Sequence, residues 1–231
     1  MARGPSEETK IKQKRGIIGE DYKAWIQSQE FSRDWGTATT FTDWKTGREM
    51  HFLSVGEFNA YLILRFDDKV SNIYEQFPLD KEETTQIARG LGYRIFANGE
   101  KTMTTDLLVE LMTGEYIAFS IKANKDAVDP AKHRRTTEKQ YIEMLYWKTK
   151  DIPWKLVFSQ DLDRRKANNI KNCASFWDIN SVSTKEELFR HLIINRKISV
   201  DLSRRMNFAD EAEKYIPDDA FERFMTRKTQ R

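Results

Sequence analysis

Cysteine is almost absent from this sequence: Cys173 stands alone among 231 residues. One thiol can neither close an intrachain disulfide nor build a cysteine zinc site, and such usage fits a reducing cytoplasm. Histidine is scarce as well, and His51, His133 and His191 lie far apart without zinc-ligand spacing. No apolar run approaches the length of a membrane span, and the first residues carry no signal-peptide core. The expectation is therefore a chain with no membrane or secretory role. Net charge is small too: 39 Lys and Arg against 36 Asp and Glu leave +3. Nucleic-acid binding would then rest on local basic clusters rather than a global field. Aromatic bulk is what the chain has in plenty. Six Trp, eight Tyr and fourteen Phe can fill a core despite 32% charged residues. The length suits one large domain, or one domain with a small appendage.

Residues 1–20 are polar, rich in Lys, Arg and Glu, and read as a flexible arm. Lys10, Lys12, Lys14 and Arg15 are candidates there for touching DNA phosphates; a solvated tail is the plainer alternative. Residues 39–53 read as a hairpin turning at Lys45-Thr46-Gly47. A helix follows from Ser54 to Phe66, capped by Ser54 and apolar on several sides. Residues 70–77 make a strand closed by Pro78, and 82–90 a short helix. Two strands, 104–111 and 116–122, join at Gly114. A long helix over 130–150 opens with the basic run Lys132, His133, Arg134, Arg135, and a strand over 155–158 follows Pro153. The remainder reads as helical, with a capping box at Ser183 and Glu186 and helical stretches either side of Pro217. This order predicts a mixed α/β domain over 21–172 and a small helical unit over 173–231.

Three fragments carry chemistry: Ser54-Val55-Gly56-Glu57, Met103-Thr104-Thr105-Asp106 and Ser120-Ile121-Lys122. Phosphodiester hydrolysis needs a cation against the developing phosphorane charge, a positioned water and a stabilised leaving oxygen. Magnesium binds through one or two carboxylates with phosphate and water, and a lysine can orient the attacking water. Two acids and a lysine form a sufficient kit. Ser120 and Lys122 share a face by strand alternation. Pairing Asp106 with Lys122 would leave a three-residue connection, Thr113-Gly114-Glu115, and would bring the acid to that face. Each residue also has a plainer reading. Glu57 fits the third position of a capping box, which is compatible with metal binding if its carboxylate turns outward. Lys122 could simply end its strand in solvent. Glu138 and Glu143 could be solvated, or one could support a second ion or the water. Asp106 is harder to dismiss, because an acid inside Thr105-Leu107-Leu108-Val109 is unfavourable unless used.

Over residues 15–172 the sequence resembles the TnsA family, the endonuclease subunits of cut-and-paste transposons that include CRISPR-associated transposons. The likeness rests on Tyr22 to Trp25, Lys45-Thr46-Gly47-Arg48, and Leu53-Ser54 leading to Glu57. It continues through Glu75-Gln76-Phe77-Pro78-Leu79, Thr105-Asp106 and Ile121-Lys122. Arg135-Thr136, Glu138-Lys139, Tyr146-Trp147 and Ile152-Pro153-Trp154 complete it. The resemblance implies a restriction-endonuclease-like mixed sheet flanked by helices, plus a small helical C-terminal domain for partner docking. It implies a Mg2+ site, with two ions and Mn2+ as a substitute. Glu57 and Asp106 match the metal-binding acids, Lys122 matches the catalytic lysine, and Ile121 can add its carbonyl. Ser120 departs from the pattern, standing where Glu or Gln is usual; a neutral hydroxyl is a weak ligand. The implied activity is cleavage of the 5′ ends of a transposon, with double-stranded DNA, a TnsB-like transposase and a TnsC-like ATPase as partners. The implied setting is the bacterial cytoplasm, with nucleoid association during transposition. Lys132, Arg134 and Arg135 would hold DNA phosphates without reading sequence. The alternatives are a stand-alone restriction or repair nuclease, and a non-catalytic adaptor in which Ser120 marks a decayed site.

Overall fold

The computed structural model describes residues 4–30 and 37–229. Parts of three expected segments, residues 1–3 of the arm, 31–36 of the α/β domain and 230–231 of the C-terminal unit, lie outside the described residues. The first unit runs from Met1 to Leu162 and the second from Asp163 to Arg231.

A four-stranded mixed sheet organises the first unit. A separate hairpin pairs β1 (Thr39–Thr42) with β2 (Glu49–Phe52); the four-stranded sheet holds β3 (Val70–Pro78), β4 (Thr104–Leu111), β5 (Tyr116–Lys122) and β6 (Trp154–Phe158), hydrogen-bonded in that order. β3, β4 and β5 pair antiparallel. β6 pairs parallel to β5, which requires a long crossover. Helix α4 (Pro130–Thr149) is that crossover. The apolar residues fall to two faces by alternation. Tyr74, Leu108 and Ala118 pack with Ile142, Tyr146 and Trp147 of α4 and with Ala88 of α3 (Lys81–Gly90). Helix α2 (Val55–Arg65) lies against β3 and β5, and its buried Tyr61 and Leu62 explain why the helix is apolar on several sides. This is the mixed α/β arrangement, flanked by helices, that the resemblance implies.

The β4–β5 register departs from the expected one. Leu107 pairs with Phe119 and Glu110 with Tyr116, which extrapolates to Asp106 opposite Ser120 rather than Lys122. The connection keeps three residues but is Met112-Thr113-Gly114, closed by Gly114 N–H to Leu111 and Leu111 N–H to Glu115. Gly114 sits at φ 84. A three-residue hairpin places its left-handed residue last, so the glycine chooses the frame. A slip of two residues preserves side-chain alternation, which is why the site survives the correction.

The stretch expected as a flexible arm contains helix α1 (Glu7–Lys12), capped by Ser6. Arg15 behind it is buried, ion-paired with Glu30 and bonded to the Trp25 carbonyl. Gly16, at φ 76, passes so close to Pro78 that an added Cβ would lie 2.2 Å from the Pro78 ring.

The second unit holds α5 (Arg164–Ala174), α6 (Lys185–Ile194), α7 (Phe208–Tyr215) and α8 (Asp218–Thr229). It begins earlier than the boundary expected at 172 because α5 packs on α6 through buried Ala167, Ile170 and Cys173. Burial pushes the Cys173 thiol up to about 12, so it acts as a small apolar core group. The capping box forms one residue later than expected, between Thr184 and Glu187, and frees Glu186 to pair with Arg190.

Candidate active site

The β4–β5 ladder stops at Leu107 and Phe119. Two residues on, the Ile121 N–H donates to Asp106 Oδ2 at 2.6 Å instead of to a strand partner. The same oxygen accepts the Lys122 ammonium at 3.2 Å and lies 3.4 Å from the Ser120 hydroxyl. Lys122 also donates to the Ile121 carbonyl at 2.9 Å. The parting of two strands thus exposes backbone groups, and Asp106 and Lys122 occupy the gap. Asp106, Ser120 and Lys122 line a cleft of about 190 Å³ with Phe96, Lys139 and Glu143.

Glu57 approaches from the start of α2. Ser54 caps the helix by accepting the Glu57 N–H at 3.1 Å, and its hydroxyl donates to Glu57 Oε1 at 2.9 Å. Glu57 Oε2 accepts the Leu53 N–H at 2.9 Å and the Gln76 side-chain amide at 3.1 Å. The Ser54 cap forms, but the Glu57 side chain accepts from Leu53, one residue before the N-cap, rather than closing the expected capping box, and these bonds hold its carboxyl group in place. Gly56 is what lets the helix come so close: an added Cβ would lie 2.7 Å from Ser159 Cβ and 3.2 Å from Ile121 Cγ2.

Glu143 enters from α4, 3% exposed, accepting from Thr105 at 2.9 Å and from Gln140 at 3.4 Å. Burial first, and then the Asp106 charge, push both Glu57 and Glu143 up to about 7. Burial works to lower the Lys122 ammonium, but Asp106 and then Glu143 outweigh it and hold its pKa raised. Asp106 touches the Lys122 ammonium, and Glu143 and Glu57 act on it through their charge. Their hard oxygens suit Mg2+, which would displace the protons held on Glu57 and Glu143, with water and phosphate completing its shell. Among the described residues no three His, Cys, Asp or Glu side chains lie close enough to hold an ion by themselves. The Ile121 carbonyl and a substrate phosphate are the natural supplements.

A family model described as TnsA-like endonuclease N terminal matches residues 67–159. The Escherichia coli transposon Tn7 transposition protein TnsA is 33% identical over 180 residues, covering 77% of this chain and 63% of that protein. This is a TnsA-type chain. Asp106, Ser120, Ile121, Lys122, Glu138 and Glu143 fall inside the matched TnsA-like segment, and Glu57 precedes it.

Other candidates of the TnsA-type site lie apart from the cleft. Glu138 is paired with Arg134 and Arg135, which hold its carboxyl below the ordinary value. Arg135 also bonds the Arg94 carbonyl. Lys132 is exposed and pairs with Asp126 at 3.2 Å. Lys12 and Lys14 are exposed, whereas Lys10 is buried over the Trp25 ring and paired with Glu7, and Arg15 serves the packing described above. Sequence reasoning missed Gln76, which sits at φ 48 inside β3 and also accepts from Thr104 at 3.0 Å. A left-handed non-glycine in a strand is strained, and here the strain aims the amide at Glu57. No helix among the described residues is long and apolar enough to cross a membrane.

The buried acids of this TnsA-type chain carry a pH prediction. Glu75, fully buried and opposed by Arg48, is also pushed up by burial to about 7. The folded chain therefore keeps protons on Glu57, Glu75 and Glu143 that the unfolded chain releases between the ordinary carboxylate range and about 7. Stability falls as pH rises through that window, by up to about 3 kcal/mol for one such group. The melting temperature of metal-free protein should drop between pH 5 and pH 8; a flat or rising trend would contradict the burial of these acids.

Proposed function

We propose that this chain is the DNA-cutting subunit of a heteromeric transposase, cleaving the 5′ ends of its transposon at both donor junctions. A TnsB-like transposase would cut and join the 3′ ends, and a TnsC-like ATPase would couple cutting to a target. The observation that carries the reading is the contact of Asp106 with Lys122 where β4 and β5 part, inside a segment matching the TnsA-like endonuclease model.

Glu57, Asp106 and the Ile121 carbonyl would hold Mg2+, with Mn2+ as a substitute. Glu143 supplies the carboxylate that Ser120 lacks, and Ser120 contributes through water at most. Bound Mg2+ supplies charge neutralisation at the phosphorane and lowers the pKa of water. The chain's own groups do the positioning. Asp106 and Ile121 N–H lock β5 against β4, Gln76 and Ser54 fix Glu57, and Lys122 spends two of its three N–H donors on Asp106 and Ile121. The remaining donor is available to a water or a phosphate oxygen.

Deleting the reading frame tests the assignment. Excision should give way to products joined only through the element's 3′ strands, with the 5′ junctions still attached to the donor. Clean excision without this chain would refute it.

A further inference from the structure

Lys139 has no role in the site as described, yet it lines the same cleft as Asp106 and Lys122. It follows Arg135 by four positions on α4, so the two lie one turn apart on one helix face, with a rise of about 6 Å. Its ammonium lies 4.7 Å from the centre of the Phe96 ring. Phe96 is held at the cleft by a turn whose next two residues, Ala97 and Asn98, are left-handed at φ 44 and 53. Among the described residues, no carboxylate lies within ion-pair distance of Lys139; Glu138 faces Arg134 and Arg135 instead. Burial first, and then the charges of Arg135 and Lys122, press its pKa down. A half-buried ammonium between two cations is unfavourable unless an anion completes the arrangement. The Phe96 ring face attracts the ammonium but carries no net charge, so the repulsion from Arg135 and Lys122 is left without a counter-anion.

We propose that Lys139 binds a backbone phosphodiester of the cleaved strand next to the scissile bond, continuing into the cleft the basic run that ends at Arg135. The inference rests on the nuclease reading above. It names a grip on substrate that is separate from the metal-binding acids. Phosphate neutralised by Lys139 releases counterions, so the contact must show in the salt dependence of binding.

The test is binding of a 30-base-pair duplex by the full chain across a salt series, for wild type, Lys139→Gln and Lys139→Arg. Lys139→Gln should weaken binding several-fold at low salt and reduce the log–log slope by about 0.9. Lys139→Arg should restore both. A methylphosphonate at the contacted position should weaken wild type and leave Lys139→Gln unaffected, which a purely structural lysine would not produce. An unchanged slope in a folded Lys139→Gln, or no salt-dependent binding by wild type, overturns the proposal. The nuclease reading fails separately, through wild-type cleavage by a variant of Asp106.

Discussion

Asp106→Asn should reduce 5′-strand cleavage by on the order of 10³-fold while leaving the chain folded and able to join its complex. Asparagine keeps the shape of the side chain. Its carbonyl oxygen can still accept the Ile121 N–H that Asp106 takes at 2.6 Å, so β4 and β5 stay tied. The substitution removes the negative charge opposite Lys122 and beside Glu57 and Glu143. A hard cation then loses its central ligand, because a neutral amide oxygen replaces an anionic one. In cells the expected product is the cointegrate, made when 3′ strands are joined and 5′ strands stay uncut. Unchanged excision by a folded Asp106→Asn protein would instead make this chain an adaptor. The alanine variant is a poorer probe. It strands the Ile121 N–H and the Lys122 ammonium, which would cost roughly 1–3 kcal/mol and mix folding with chemistry.

Lys122→Met should lower the cleavage rate by about 10²–10³-fold with a different signature. Methionine fills the space of the lysine stem and removes only the ammonium. Asp106 keeps its bond from Ile121, so the acid stays in place. The acids lose the ammonium that contacts Asp106, and their attraction for a divalent ion holds or rises. Metal binding should therefore survive while turnover falls. Loss of metal binding together with turnover would mean that Lys122 organises the acids rather than acting on water or phosphate. The pair of variants separates the group that holds the ion from the group that serves the reacting atoms.

Much of the fold was legible because local signals agreed. Ser54 and Glu57 announced the start of α2, Pro78 closed β3, and Pro130 opened α4 where expected. The register error came from one residue, Gly114, whose left-handed backbone shifted the hairpin frame. The arm was misread because α1 is short and polar, and its anchors, Arg15 on Glu30 and Gly16 on Pro78, are long-range contacts with no periodicity. Within the candidate site, Asp106 stood out because an acid is costly inside its strand, whereas Glu57 and Lys122 were singled out only together with it and with the family resemblance. Glu57 bonds the Leu53 N–H and the Ser54 hydroxyl and also feels the charge of Asp106. Gln76, Thr105, Gln140 and Lys139 could not be found that way. Their roles arise from which strand and helix lie across from them, and nothing in their immediate neighbours encodes it.

The account turns on Asp106 gathering anionic oxygens around a cation at the fork of β4 and β5. Mn2+ titration of the full chain, followed by electron paramagnetic resonance with and without duplex DNA, measures this directly. Wild type and Lys122→Met should bind the ion, more tightly with DNA present, and Asp106→Asn should not. Equal Mn2+ binding by Asp106→Asn and wild type would contradict it.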